Sequence, residues 1–288
     1  MTSVKKGRYL IYLANWITEG GQSMAGYIFD LDGTIYLGDK LIDGALETYN
    51  YLISNGHKVV FVTNKPIASQ EDYHAKLTKF GFDVTVNQIV NSSYATAIYL
   101  TKYAESADQV YVIGEQPLID ELNQANISMT NNPLDADYVV VSWDRQFTYD
   151  KLNNMYQAWK NGAKFVATNP DRTCPVDGGE VPDCGSIMGA FTAATGQEIT
   201  EIGGKPSRLM ADLVLEEVLQ MPANECFMIG DRLETDILMG NNANLKTILV
   251  LSGVTSEEMA KDSTIKSNYT LPSVKELQGL IESIASHY

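Results

Sequence analysis

From residue 26 onward the chain alternates short apolar runs with longer helix-like segments, and this rhythm constrains the fold more than any other feature. Tyr27-Ile28-Phe29 stops abruptly at Asp30 and a glycine-containing turn. A helical stretch over 44–55 leads to Lys58-Val59-Val60-Phe61-Val62, which is rich in β-branched residues and ends at Thr63-Asn64. Another polar, helix-like segment occupies 68–80. Apolar strands separated by helices predict an α/β fold, with a parallel sheet covered on its faces by helices.

The middle of the chain repeats the pattern. Helices are expected at 92–103 and 117–125, and strands at 109–113 and at Tyr138-Val139-Val140-Val141. In 150–161, Leu152, Met155, Tyr156 and Trp159 fall at i, i+3, i+4 and i+7, the stripe of a helix packed on one face. Lys164 to Ala167 reads as a strand, and 169–186 as a loop rich in proline, glycine and aspartate. The last third adds a helix after Lys205, a strand at Cys226-Phe227-Met228-Ile229, a helix from about 235 and a strand from Thr247 to Leu251.

With 288 residues the chain can bury a substantial core and form two domains. Its net charge of -15 argues against nucleic-acid partners and anionic membranes. An anionic substrate would have to be drawn in by a metal ion and a few placed cations. Cys174, Cys184 and Cys226 are too few and too scattered for a disulfide framework or a zinc site, which suits reduced thiols in a cytoplasmic protein. No run reaches the roughly 18 apolar residues of a membrane span. Lys5, Lys6 and Arg8 precede an apolar stretch, Tyr9 to Ile17, but Asn15 interrupts it and no small-residue cleavage site follows. Residues 1–24 are expected to be an N-terminal extension, with Met24 able to serve as a start.

Four motifs fall where strands are expected to end. In Phe29-Asp30-Leu31-Asp32-Gly33-Thr34 two acids lie just past a buried strand, the edge at which open α/β sheets bind ligands. Like charges this close call for a cation, and magnesium suits oxygen-only ligands. Thr63-Asn64 offers a hydroxyl and an amide that can donate to a phosphate oxygen. In Gly203-Gly204-Lys205-Pro206, Pro206 fits the first position of a helix, which would put Lys205 at the helix amino end. A cation there opposes the helix macrodipole, and a bound anion would remove the conflict. Gly230-Asp231-Arg232-Leu233-Glu234-Thr235-Asp236 supplies Asp231 as a further acidic metal ligand, with Asp236 capping the next helix or orienting the ligands from behind.

In this order the motifs resemble the haloacid dehalogenase superfamily of aspartate-nucleophile hydrolases. Over nearly the whole chain from about residue 25, the segments DLDGTIYLGD, FVTN, VVVSWDRQFTYDKL, ATNPDRTCP, GSIMGA, GGKP and GDRLETDI resemble the NagD-like phosphatases. The resemblance implies a Rossmann-like, doubly wound parallel sheet core at 25–82 and 184–288, with an inserted α/β cap domain at 83–183. A homodimer through the cap is compatible with it. Three positions depart from the family pattern: Lys65 where a second asparagine is frequent, Asn244 where glycine is usual, and Cys184 where small or polar residues are common. Lys65 and Cys184 bear on the substrate rather than on the chemistry.

The expected chemistry is magnesium-dependent hydrolysis of a phosphomonoester through an aspartyl phosphate. Asp30 is the expected nucleophile. Asp30, Asp231 and the backbone carbonyl of Asp32 would ligate the metal, and Thr63, Asn64 and Lys205 would hold phosphate oxygens. Asp32 is the expected general acid and base. Trp143, Asp144, Arg145, Asn169, Asp171 and Arg172 follow two expected cap strands and are candidate substrate contacts. Their mixed polarity suits a small phosphorylated metabolite such as a sugar phosphate. Phosphoryl transfer to a second alcohol, a non-enzymatic phosphoacceptor and a metabolite sensor remain alternatives from the sequence.

Overall fold

A computed structural model describes residues 24–176 and 178–285. The expected N-terminal extension therefore lies, apart from Met24, outside the described residues. Fourteen strands are described: β1 (Gly26–Asp30), β2 (Tyr36–Leu37), β3 (Lys40–Leu41), β4 (Lys58–Thr63), β5 (Ile89–Asn91), β6 (Val110–Ile113), β7 (Tyr138–Val141), β8 (Lys164–Ala167), β9 (Thr173–Val176), β10 (Gly179–Pro182), β11 (Glu201–Ile202), β12 (Cys226–Gly230), β13 (Lys246–Val250) and β14 (Tyr269–Leu271).

Six of them form one parallel sheet in the order β14-β13-β12-β1-β4-β5. The chain leaves β1 toward β4 and β5 on one side, and later adds β12, β13 and β14 on the other. The order therefore reverses beside β1, the position at which open α/β sheets form a ligand crevice beyond their carboxyl ends. Side chains alternate along these strands. Tyr27, Phe29, Phe61, Phe227 and Ile229 join one buried cluster, while Ile28, Val60, Val62 and Met228 join another. Helices Ala45–Ser54 and Gln70–Lys79 cover the first face, and helix Arg208–Leu213 the second. Burial on both faces explains why β1 and β12 read as continuous apolar runs.

A second parallel sheet has the order β11-β8-β7-β6. Val139, Val141 and Ala167 face helices Tyr149–Lys160 and Cys184–Thr195 through Met155, Ala158, Ile187 and Phe191. Val140 and Val166 face Leu118 and Leu122 on the other side. Helix Ser92–Tyr103 belongs to both units: Ala95 packs in the core of the large sheet, and Ala97 and Leu100 in that of the small one. Two short strands fall across the boundaries expected at 82/83 and 183/184. β5 pairs with β4 in the large sheet, and β11 pairs with β8 in the small one. Neither pairing follows from local apolar pattern, because both strands are only two or three residues long.

The stretch 169–186, expected to be a loop, contains the antiparallel hairpin β9–β10, with Val181 opposite Cys174. Its proline and glycine content hid the strands, since a two-stranded ribbon tolerates both. The helix after Lys205 begins at Arg208, with the Ser207 side chain accepting the Leu209 N–H at 3.2 Å. Pro206 therefore precedes the cap instead of occupying the first helical position. Asn244 adopts φ 60, the left-handed conformation expected where glycine is usual. No helix among the described residues is long and apolar enough to cross a membrane.

Candidate active site

The DxD turn is shaped by one carbonyl. The backbone oxygen of Leu31 accepts from the N–H groups of Thr34, Ile35 and Tyr36 at 2.9 to 3.2 Å, so the chain curls immediately after β1. Gly33, at φ +88, is required at this turn. A Cβ there would meet Asp231 Oδ2 at 2.5 Å and Gly253 Cα at 3.1 Å. The closeness that excludes a side chain at residue 33 also sets Asp231, at the end of β12, against the turn after β1.

Asp30, Asp231 and Asp236 are buried, and each offers a carboxylate oxygen within 4.8 Å of the others. Asp236 reaches the cluster from a wide helical turn, Leu233–Ile237, immediately after β12. Such π-type turns recur where a side chain must be redirected at a site. Its Oδ2 also accepts the Arg232 N–H at 3.0 Å. Asp231 Oδ2 accepts the Val254 N–H at 2.6 Å. Into this acidic cluster points Lys205, only 2% exposed, whose Nζ donates to Asp30 Oδ1 and, at 2.7 Å, to Asp236 Oδ1. The ammonium is thus partnered by two carboxylates. The expectation that it sits at a helix amino end is corrected, because the helix starts three residues later, at Arg208.

Lys205 is held from behind. Its N–H donates to Asn64 Oδ1 at 2.8 Å, and its carbonyl accepts from Asn64 Nδ2 at 3.0 Å. The neighbouring Gly204 has no room for a side chain, since a Cβ would lie 2.6 Å from both Asn64 Oδ1 and the Thr168 carbonyl. Asn64 Nδ2 also donates to Asp171 Oδ2 at 2.8 Å, so both hydrogens of its amide are engaged within the protein. A free phosphate donor was expected at this position; the side chain is instead a strut. Thr63 is buried, lines the cavity, and accepts the Lys65 N–H at 3.2 Å.

The carboxylate of Asp32 stands apart from the three-acid cluster and pairs with Lys65 at 2.8 Å. Both side chains line the same cavity as Asp30, Lys205 and Asp231. Across it lies the β9–β10 hairpin, contributing Thr173, Cys174 and Pro175. Arg232 ties the two walls together, with Nη1 on Asp171 Oδ1 at 3.2 Å and Nη2 on the Thr173 carbonyl at 3.4 Å. Asn169 is buried behind Asp171 and donates to it at 3.0 Å.

The other expected substrate contacts are engaged elsewhere. Asp144 is buried against Lys151 and accepts the Gln146 N–H at 2.9 Å. Arg145 pairs with Glu115 through two bonds of 2.7 and 2.6 Å and lies over the Trp143 ring at 5.9 Å. Neither Asp144 nor Arg145 lines the cavity, and neither Trp143 nor Arg172 does. Cys174, Asp183 and Arg232 line it without having been assigned a role from the sequence, and Lys65, expected only to bear on the substrate, lines it too. The FVTN and GDRLETDI segments bordered two of these residues. Nothing local pointed to Cys174, which arrives on a hairpin. All three cysteines are free and buried.

Burial pushes the Asp30 carboxyl well above its ordinary range; Lys205 pulls it back, while Asp236 and Asp231 push it further. Asp231 is raised to about 7 by burial and by Asp236. Burial disfavours the Lys205 charge, but Asp236 and Asp30 outweigh it and its pKa rises. One ammonium among three buried carboxylates leaves a deficit of positive charge. An oxygen-only donor set of this kind fits a hard divalent cation such as magnesium, which is content to keep part of its water shell.

The Haloacid dehalogenase-like hydrolase family matches residues 27–128, and a HAD-hydrolase-like family matches residues 202–277. The sugar-phosphatase AraL of Bacillus subtilis is 38% identical over 260 residues, covering 90% of this chain and 94% of AraL. NagD from Escherichia coli K-12 superposes with a TM-score of 0.79 at 31% identity, covering 88% of this chain and 98% of NagD. Glycerol phosphate phosphatase Rv1692 from Mycobacterium tuberculosis, solved in complex with magnesium, superposes with a TM-score of 0.81 at 28% identity, covering 88% and 76%. With strand-end acids, a buried lysine and these relatives in agreement, the chain belongs to the haloacid dehalogenase-like hydrolases as a NagD-like phosphatase, a phosphoric monoester hydrolase acting on small phosphorylated substrates.

Proposed function

We propose that the enzyme is a magnesium-dependent phosphatase of phosphorylated sugars and related polyols that works through an aspartyl phosphate on Asp30. The observation that carries this reading is the buried group of Asp30, Asp231 and Asp236 around Lys205, beyond the carboxyl ends of β1 and β12. Asp30, Asp231 and the backbone carbonyl of Asp32 would hold the metal, with Asp236 close enough to share the load. Bound there, magnesium supplies the positive charge that lets a carboxylate approach a phosphate dianion.

In the first step an Asp30 oxygen bonds to phosphorus as the ester oxygen departs, and Asp32 gives that oxygen a proton. In the second, Asp32 takes a proton from water, the water oxygen bonds to phosphorus, and the Asp30 carboxylate leaves with its electron pair. Lys205 and Thr63 face the remaining phosphate oxygens and stabilise charge as it redistributes. Asn64 acts behind them by fixing Lys205.

The larger sheet, about 25–82 and 184–288 with β5 included, serves as the catalytic core in this reading. The smaller unit, about 83–183 with β11 included, serves as the cap. Of the cap candidates, Asp171 has the strongest support as a specificity residue because it lines the cavity. A cytoplasmic location suits the three free cysteines. A homodimer through the cap belongs to the same reading.

A panel of sugar, polyol, nucleotide and carboxylate-bearing phosphate esters, ranked by kcat/KM with and without magnesium, tests it. Sugar and polyol phosphates should rank highest and only with the metal. Preference for nucleotides, or full turnover in chelator, would refute the assignment.

A further inference from the structure

We propose that Lys65 is a specificity-determining residue: with Asp32 it forms a paired donor and acceptor that reads a hydroxyl on the carbon next to the phosphoester. This deepens the proposed function and rests on its placement of Asp32 beside the departing oxygen.

Three cations line the cavity among the described residues, and two are already committed. Lys205 gives two of its three N–H donors to Asp30 and Asp236, and the proposed function assigns what is left to the phosphate. Arg232 spends its guanidinium on Asp171 and the Thr173 carbonyl. Lys65 differs in that its ammonium meets one carboxylate, Asp32, at 2.8 Å, and the two side chains keep 22% and 19% exposure against 2% for Lys205. An ammonium carries three N–H donors; Asp32 and the Cys174 thiol engage two of them, which leaves one toward the opening.

Lys65 is also fixed at its base. Its N–H donates to Thr63 Oγ1 at 3.2 Å and its carbonyl accepts from the Tyr73 hydroxyl at 3.0 Å. A long side chain anchored this way, directly after the Thr63-Asn64 strand end, loses less freedom on binding a substrate than a surface lysine would.

The ligand class follows from the charges. Six aspartates line the cavity against three cations, and a bound magnesium ion would not make up the difference, so a carboxylate on the leaving group meets repulsion that a single shared ammonium does not offset. A hydroxyl meets no such penalty. It accepts from Lys65 and donates to the Asp32 oxygen that does not carry the proton for the ester, so one group meets both side chains at once. The substrate is thus neutral beyond its phosphate and hydroxylated beside the ester, as in a sugar or polyol phosphate.

The test compares wild type, Lys65→Met and Lys65→Arg on glycerol 3-phosphate, n-propyl phosphate, phosphoglycolate and p-nitrophenyl phosphate. The readout is the ratio of kcat/KM for glycerol 3-phosphate to that for n-propyl phosphate. Wild type should favour the hydroxylated ester; Lys65→Met should lower the ratio by roughly tenfold, the scale of one charge-assisted hydrogen bond, and Lys65→Arg should restore part of it. An unchanged ratio in Lys65→Met, with wild type active on p-nitrophenyl phosphate, would overturn the subsite and leave the hydrolase reading standing. A loss confined to phosphoglycolate would overturn it in favour of a carboxylate contact. A wild type inactive on all four esters would overturn the hydrolase reading and the subsite with it.

Discussion

The side-chain amide of Asn64 brackets the backbone of Lys205, accepting its N–H at 2.8 Å and donating to its carbonyl at 3.0 Å. A third bond, to Asp171 at 2.8 Å, ties this clamp to the loop after β8. Each net hydrogen bond is worth about 1 kcal/mol, so losing the pair that grips Lys205 would let the buried ammonium drift by an amount catalysis feels. Asn64→Ala is expected to lower kcat by roughly 10- to 100-fold with little change in KM. Asn64→Asp should lower it further, since it keeps the acceptor, loses both donors and sets a like charge against Asp171. Steady-state kinetics alongside thermal melts check this. Wild-type kcat in Asn64→Ala would remove the clamp from the mechanism.

In the proposed scheme Asp30 is the nucleophile, and its burial costs stability. Asp30→Asn should abolish turnover yet melt, in chelator, at or above the wild-type temperature, because one of three crowded buried charges is gone while Lys205 keeps Asp236. A folded variant with more than a trace of activity would exclude Asp30 as nucleophile.

Asp32 serves both steps in the proposed scheme. Asp32→Ala should reduce kcat by roughly 10²- to 10⁴-fold on alkyl phosphates. In kcat/KM, which reports the first transfer, the loss should shrink on p-nitrophenyl phosphate, whose leaving group needs little protonation. Equal losses on both esters would argue that Asp32 only holds the turn.

Metal binding should appear as stability as well as rate. Magnesium at 100 times its dissociation constant should add about 2.7 kcal/mol to the folded state, and Asp231→Asn should shift the titration to higher magnesium. Differential scanning fluorimetry across magnesium concentrations checks both. A melting temperature indifferent to magnesium would place the cation elsewhere or nowhere.

His57 provides a pH test remote from the site. Its Nδ1 accepts the Ala25 N–H at 3.2 Å, its ring meets Tyr27 edge-on at 5.3 Å, and burial lowers its pKa. The unfolded chain therefore binds a proton before the folded one does. Stability is complete above the unfolded value of about 6.5 and declines as pH falls from there toward the lowered folded value. Urea midpoints measured at pH 7.5 and 5.5 should fall more in wild type than in His57→Gln. Equal slopes would mean that His57 titrates alike in both states.

Most of the fold could be read from the sequence because the strands of the large sheet are buried on both faces and leave unbroken apolar runs. Tyr27-Ile28-Phe29 and Cys226 to Ile229 end where their acids begin, so the meeting of Asp30 with Asp231 followed once the strands were taken as parallel. The short strands β5 and β11 carry no such signal, since tertiary pairing alone defines them. Pairing partners were equally hidden. The amide of Asn64 suits a phosphate or a backbone equally well, and only the approach of Gly204 and Lys205 decides between them. Asp144 and Arg145 had the right polarity after the right strand, but their charges are met by Lys151 and Glu115, on segments no local pattern connects to them. Asp236 joined the buried acidic cluster because the turn it lies in is wider than an α-helix, a geometry composition does not announce.

The central claim is that phosphorus passes through Asp30. Quenching the enzyme during turnover and reducing it with borohydride converts an aspartyl phosphate to homoserine, which peptide mass spectrometry can locate. Homoserine at position 30, dependent on substrate and magnesium, is the expected result. An unmodified Asp30 at full turnover, or homoserine at any other aspartate, would contradict the account.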